Sequence, residues 1–301
     1  MGADLASHFA ESRECFERAS TVLGYDLFER VGRASADELK ETRLSQPAIF
    51  TANVAIYRAV ATLGMQPIVS AGHSFGEYCS LTIADAIDFD EAIRIVNERA
   101  LAMGEAADIT PGLMAAVIGL EEAAVDEVCK RAREESGARV DIGNLNTQTQ
   151  IVVSGDAAAV EAACEIAKER GAKRVRILNV SGAWHSTLME PAMPRFSGAV
   201  ASAKLRVPSF TVISNVIARP YTSVDEIRES LLASLCARVR WHETAVALAK
   251  LGPDYIIECG ASEVLAPMMK RLPEARNAHV VHIADAAGLE DLRTEIGSLS
   301  A

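Results

Sequence analysis

No apolar run in this 301-residue chain is long enough to cross a bilayer, and the polar opening, Met1 to Glu14, has no signal-peptide core. Neither a membrane-spanning nor a secreted protein is expected. The six cysteines, Cys15, Cys79, Cys129, Cys164, Cys236 and Cys259, include no C-x-x-C pair. Reduced thiols in a cytoplasmic protein are therefore expected, not a disulfide framework or a zinc site. There is no G-x-G-x-x-G, no Walker loop and no H-E-x-x-H, so neither a nucleotide cofactor nor a metal is indicated. A net charge of −11 argues against nucleic acid as the main ligand.

What remains is an ordinary globular composition, half hydrophobic and 24% charged, with enough length for one large domain and a smaller insertion. Helix-like and strand-like segments alternate, the signature of an α/β fold with a mostly parallel sheet. Apolar spacing predicts helices over 9–23, 46–63 and 90–107. After the break at Thr110-Pro111-Gly112 the order is strand 114–120, helix 121–135, strands 140–146 and 150–154, helix 157–170, strand 174–180. That β-α-β-β-α-β order is ferredoxin-like. It predicts a small subdomain over 113–184 inserted into a core built from 1–112 and 185–301. Alternation then resumes: strand 211–216, helices 224–235 and 241–251, strand 255–259, helix 263–271.

The run Gly72-His73-Ser74-Phe75-Gly76 lies between a strand-like segment, 67–71, and a helix-like one, 77–87. This is G-x-S-x-G in strand–turn–helix context, a nucleophile elbow. Two glycines would permit a turn too tight for side chains, projecting the serine hydroxyl from the sheet. The following helix start would offer free N–H groups to an oxyanion. The bare pattern also fits any glycine-rich turn; its flanks favour acyl chemistry through Ser74.

Such a serine needs a base. His8, His242, His279 and His282 lie in polar settings, and His73 should point away from Ser74. His185, in Ser181-Gly182-Ala183-Trp184-His185-Ser186, falls where the chain leaves the inserted unit, a loop that could face a cleft. It is read either as the base or as a structural loop histidine. Arg99 sits mid-way along the apolar face of its predicted helix, flanked by Ile95, Val96 and Met103. A guanidinium there cannot lose its proton and is costly without an anion. It is read as a structural ion pair, as a side chain reaching to water, or as a two-pronged grip on a substrate carboxylate.

Together these residues resemble the malonyl-CoA:acyl carrier protein transacylases and the related acyltransferase domains of polyketide synthases. The resemblance runs through Leu44-Ser45-Gln46-Pro47-Ala48, Gly72 to Tyr78, Glu98 to Met103, Asn144-Leu145-Asn146, Gln150 to Gly155, Gly182 to Met189, and Glu258-Cys259-Gly260. It implies a hydrolase-like α/β domain with a ferredoxin-like insertion, Ser74 as nucleophile, His185 as base and Arg99 as partner of the malonyl carboxylate. It also implies that Gln46 helps bind substrate, that the Ser234 carbonyl orients the histidine, and that the Phe75 N–H serves the oxyanion. Trp184 stands where the family usually has phenylalanine when malonyl is preferred, implying malonyl over methylmalonyl. No resident cofactor is implied: malonyl-CoA is a substrate, and the phosphopantetheine belongs to the acyl carrier protein.

The family opens with a buried strand ending in a Gly-Gln-Gly-Ser-Gln loop that supplies an oxyanion donor. This sequence starts at Met1-Gly2-Ala3-Asp4-Leu5, which resembles the residues just after that loop. The strand and donor are expected to be missing from it, at roughly 3 kcal/mol of transition-state stabilisation. An acyl hydrolase on the same scaffold and a non-catalytic carrier-protein-binding subunit stay open as alternatives. Lys168, Arg170, Lys173, Arg174 and Arg176, with Arg238 and Arg240, are a candidate surface for an acidic carrier protein, or an ordinary solvated helix end.

Overall fold

The computed structural model describes residues 2–35 and 37–299. Helices α1 (Ala3–His8), α2 (Ala10–Leu23), α3 (Leu27–Arg33) and α4 (Thr42–Ala61) precede β1 (Val69–Ala71), α5 (Gly76–Ile83) and α6 (Phe89–Ile109). Then come β2 (Leu113–Ile118), α7 (Glu122–Ser136), β3 (Val140–Thr147), β4 (Gln150–Gly155), α8 (Ala157–Glu169) and β5 (Arg174–Ile177). The chain ends with α9 (Met193–Ser202), β6 (Thr211–Ile213), α10 (Val224–Ala233), α11 (Trp241–Ala249), β7 (Tyr255–Cys259), α12 (Ala266–Met269), β8 (His279–Ile283) and α13 (Ala286–Leu299).

Residues 113–177 form a four-stranded antiparallel sheet in the order β3-β4-β2-β5, with α7 and α8 as its two helices. That is the ferredoxin-like order, with the two helices packed on each other over Val125, Val128, Ile151, Val153 and Ala163. The remaining strands are parallel, as expected, but they form two pairs and not one continuous sheet: β1 with β6, and β7 with β8.

Several predicted elements end early for local reasons. The helix after the elbow stops at Ile83 because Asp85 turns the chain at φ 57°. The strand expected to reach residue 216 ends at Ile213, where Ser214 to Arg219 close a turn with Ala218 at φ 54°. The helix predicted over 263–271 shrinks to Ala266–Met269, because the Glu258 carboxylate accepts the Val264, Leu265 and Ala266 N–H groups and caps it late. β8 and α13 carry no strong periodic signal of their own and form by pairing and packing on β7 and α1.

The main core lies between α2, α4 and α6, where Phe50, Val54, Ile93, Ile95 and Val96 are buried. Long helices with apolar stripes bring the first turns of α4 and the middle of α6 to the elbow. That packing positions the site.

Candidate active site

Ser74 turns at φ 53°, the left-handed region that costs a non-glycine residue about 1–3 kcal/mol. The two elbow glycines are not equivalent. A Cβ on Gly72 would lie 2.0 Å from the Gly76 carbonyl carbon and oxygen and 2.4 Å from the Glu77 nitrogen, whereas a Cβ on Gly76 would meet nothing within 4 Å. The turn therefore requires glycine only at its first position. Gly72→Ala should lower stability by more than about 3 kcal/mol in urea unfolding, with Gly76→Ala far milder.

The His185 Nε2 lies 2.8 Å from the Ser74 Oγ, and its Nδ1 lies 2.9 Å from the Ser234 carbonyl oxygen. The carbonyl can only accept, so Nδ1 carries the proton and Nε2 is left to accept from the serine hydroxyl. The loop holding His185, itself at φ 58°, is strapped by Ser186 Oγ donating to the Ala183 carbonyl and by Thr187 donating to Asp141 on β3. Burial, with the Arg99 and His73 charges adding to it, pulls the His185 pKa down to about 3. The imidazole is thus neutral at pH 7, the form a general base needs.

Arg99, on α6, is 1% exposed. Its Nη2 donates to the Ser74 Oγ at 3.2 Å and its Nη1 to the Gln46 Oε1 at 2.6 Å; its Nε has no partner. The Gln46 Nε2 donates in turn to the Thr42 hydroxyl. The structural ion pair entertained from sequence is therefore not formed: among the described residues Arg99 meets no carboxylate in a salt bridge. A neutral amide fixes the guanidinium and leaves it without a carboxylate in contact; the buried Glu77 acts on it only from beyond salt-bridge distance. Burial shifts the Arg99 pKa downward without removing its proton.

Ser74, His185, Arg99, Gln46 and the Ser234 carbonyl thus converge. The Phe75 N–H follows the serine directly and donates to no carbonyl among the described hydrogen bonds. Trp184 does not join the cluster through any such bond: its indole lies over Gly182, partly buried against the main core.

One residue escaped the sequence reading. Glu77, fully buried, accepts from the Asn215 N–H at 3.0 Å and the Tyr221 hydroxyl at 2.8 Å, tying α5 to the end of β6. Its position after the elbow gave no hint of burial. His73 reaches from the elbow to the Asn146 Oδ1 at 2.9 Å and the Asn144 Nδ2 at 3.3 Å, joining the nucleophile turn to β3.

Burial pushes the Glu77 pKa up from 4.5 to about 7. Raised in the folded state, it favours folding at low pH and loses that contribution as pH rises through 7. His185, depressed from 6.5, does the opposite: its contribution is lost as pH falls below 6.5. Between pH 4.5 and 6.5 the two slopes oppose each other. Glu77→Gln should leave the histidine slope alone, so its stability should rise with pH across that window by about 1 kcal/mol per unit more than wild type. Parallel slopes in a melting series would remove this account.

Of the basic cluster, Lys168 pairs with Glu165, Arg238 with Glu122 and Asp126, and Arg240 with Glu243. Arg170, Lys173, Arg174 and Arg176 remain exposed without an acidic partner among the described residues.

A neutral imidazole on a serine hydroxyl at the head of a helix, in an α/β scaffold, defines a serine-dependent acyl-transfer protein. The acyl transferase domain model matches residues 1–289, and the chain belongs to that family, among its malonyl-CoA:acyl carrier protein transacylases. It is 37% identical over 293 residues to the malonyl CoA-acyl carrier protein transacylase of Escherichia coli K12, covering 96% of this chain and 94% of that one. It is 35% identical over 290 residues to the Bacillus subtilis enzyme of the same name, covering 96% and 90%. The solved transacylase of Coxiella burnetii superposes with a TM-score of 0.92 at 35% identity, over 98% of this chain and 92% of that one. A type II polyketide malonyl-transacylase, solved in complex with its acyl-carrier protein, gives 0.90 at 36% identity, over 98% and 94%.

Proposed function

We propose that this protein transfers a malonyl group from malonyl-CoA to the phosphopantetheine thiol of an acyl carrier protein, through malonyl-Ser74, in the cytoplasm. One observation carries the choice of acyl group: a buried guanidinium without a carboxylate partner, 3.2 Å from the nucleophile. No helix of the described residues is long and apolar enough to cross a membrane, and all six cysteines are free, in keeping with that compartment.

In the first half-reaction His185 takes the Ser74 proton as the hydroxyl oxygen attacks the thioester carbon. The oxyanion forms beside the Phe75 N–H. The C–S bond breaks, and the CoA sulfur leaves with the proton from His185. In the second half-reaction His185 deprotonates the carrier thiol, which attacks the ester, and Ser74 leaves with that proton. Arg99, fixed by Gln46, turns one edge to the malonyl carboxylate throughout. The Ser234 carbonyl holds the imidazole tautomer. Trp184, next to His185, limits the room for an α-methyl group and favours malonyl over methylmalonyl. The division into a 1–112 and 185–301 core and a 113–184 unit would place the site between the two, bridged by His73.

The test is to load the protein with labelled malonyl-CoA, trap the ester on Ser74, and then add carrier protein. Transfer of label to the carrier supports the reading. Rapid release of free malonate without transfer points to a hydrolase, and no trapped ester points to a binding subunit. The exposed Lys173 and Arg174 are proposed to meet the acidic carrier. Reversing both to glutamate should raise the KM for carrier protein about tenfold, as for a few lost charge contacts, and leave that for malonyl-CoA unchanged. Equal changes in both constants would remove the docking assignment.

A further inference from the structure

Strand β3 supports the site through several separate segments. Asn144 and Asn146 hold His73 in the elbow. The Leu145 N–H donates to the Val239 carbonyl at 2.8 Å and the Val239 N–H to the Gly143 carbonyl at 2.8 Å, tying β3 to the stretch that follows Ser234. Asp141 holds the loop of His185: its Oδ2 accepts the Thr187 N–H at 3.3 Å and the Thr187 hydroxyl at 3.2 Å. In a regular strand the side chains of 141 and 144 would point to opposite faces. Here Ile142 pairs with Val153 but Asn144 with Val152, so Gly143 is an extra residue in the ladder. Such a bulge re-aims side chains, and this one lets Asp141 and Asn144 meet the base loop and the elbow together. It also brings the strand against the loop: a Cβ on Gly143 would lie 3.3 Å from the Trp184 carbonyl oxygen.

We propose that Asp141 is a positioning residue for proton transfer, a clamp on the loop that keeps the His185 Nε2 within reach of the Ser74 hydroxyl. This rests on the reading of His185 as the base. The Ser234 carbonyl fixes the ring at Nδ1, and Ser186 bonds within the loop, to Ala183. The His185 backbone sits at φ 58°, a left-handed conformation that a non-glycine residue keeps only where its surroundings impose it. Thr187 is where the loop is tied outward, and both of its donors converge on one carboxylate oxygen. The other oxygen faces the Arg133 Nη1 at 3.8 Å, and Arg133 also donates to the Val140 carbonyl, so α7 steadies the clamp from behind. Arg99 and Gln46, the proposed grip on the malonyl carboxylate, make no contact with Asp141 among the described hydrogen bonds.

The variants Asp141→Ala, Asp141→Asn and Arg133→Gln test the clamp, each assayed below its own melting transition. An amide oxygen has two lone pairs and accepts both Thr187 donors, so asparagine keeps the clamp and alanine removes it. Asp141→Ala should lower kcat for malonyl transfer about 30-fold, within the range for a misplacement of about 1 Å, and leave KM for malonyl-CoA within about twofold of wild type. Asp141→Asn should stay within about threefold of wild type in kcat, as should Arg133→Gln, which loosens the strand without touching Thr187. A second readout needs no substrate. The proton on the His185 Nδ1, followed by NMR with isotope-labelled histidine and assigned by its loss in His185→Ala, should exchange with water about tenfold faster in Asp141→Ala and at the wild-type rate in Asp141→Asn. Unchanged proton exchange in Asp141→Ala would overturn the proposal, as would a wild-type kcat there, no rescue by asparagine, or an equal loss in Arg133→Gln. Proton exchange reads the clamp whether or not His185 is the base. Its failure is therefore distinct from failure of the proposed reaction, which the label on Ser74 reports.

Discussion

Replacing Ser74 by alanine should cut malonyl transfer by roughly four to six orders of magnitude, the range for removal of a serine nucleophile that works as a unit with its histidine. The fold should survive. The hydroxyl accepts from Arg99 and meets His185, and the alanine methyl sits where the Cβ already is. The backbone strain at φ 53° remains in the variant and is offset by the same scaffold. Two measurements check this together: covalent labelling by malonyl-CoA, which should vanish, and the melting temperature, which should move by no more than a few degrees. Retained labelling at another residue would displace Ser74 from the proposed role. His185→Ala should fall to a similar rate while keeping the hydroxyl, because the loss of either partner disables the pair.

Arg99→Gln should produce the second large effect, and of a different kind. A charge-assisted, two-pronged contact in a buried site accounts for about 3–4 kcal/mol, so kcat/KM for malonyl-CoA should drop by about 10² to 10³. Acetyl-CoA has no carboxylate to lose. With it the variant should hold its rate or gain, since a neutral acyl group no longer leaves a guanidinium unpaired. Stability should not fall in step with activity. Arg99 is 1% exposed with its Nε unpartnered, so glutamine relieves a buried charge that has no carboxylate in contact even as it gives up the Gln46 bond. A variant that is less active on malonyl-CoA yet at least as resistant to urea would mark Arg99 as held for the ligand. A parallel loss with malonyl-CoA and acetyl-CoA would assign it to packing instead.

The ordering of these effects follows from what surrounds each group. His185 titrates far below neutrality because burial and two nearby positive groups disfavour its charged form. The acid limb of kcat/KM for the free protein should therefore lie well below the ordinary histidine range. Burial isolates Ser74, His185 and Arg99 from water, and the same isolation gives Glu77 its opposite shift one turn away.

Much of this was legible in the residues alone. The G-x-S-x-G run with its flanking strand and helix located Ser74, the 3.6-residue period placed Arg99 on an apolar face, and the strand–helix order marked the ferredoxin-like unit. Strand 255–259 has the limits expected of it. These are local properties, set by backbone geometry and by spacing within one element. Tertiary structure alone decided that His185, 111 residues from Ser74, meets it, that Gln46, 53 residues from Arg99, is its partner, and that among the described residues no carboxylate contacts them. It also made Glu77 a buried, partly neutral acid, required glycine at 72 but not at 76, and divided the parallel strands into two pairs. Distances between remote segments and the loss of water around a charge are sums over contacts from many parts of the chain, and no window of sequence contains them.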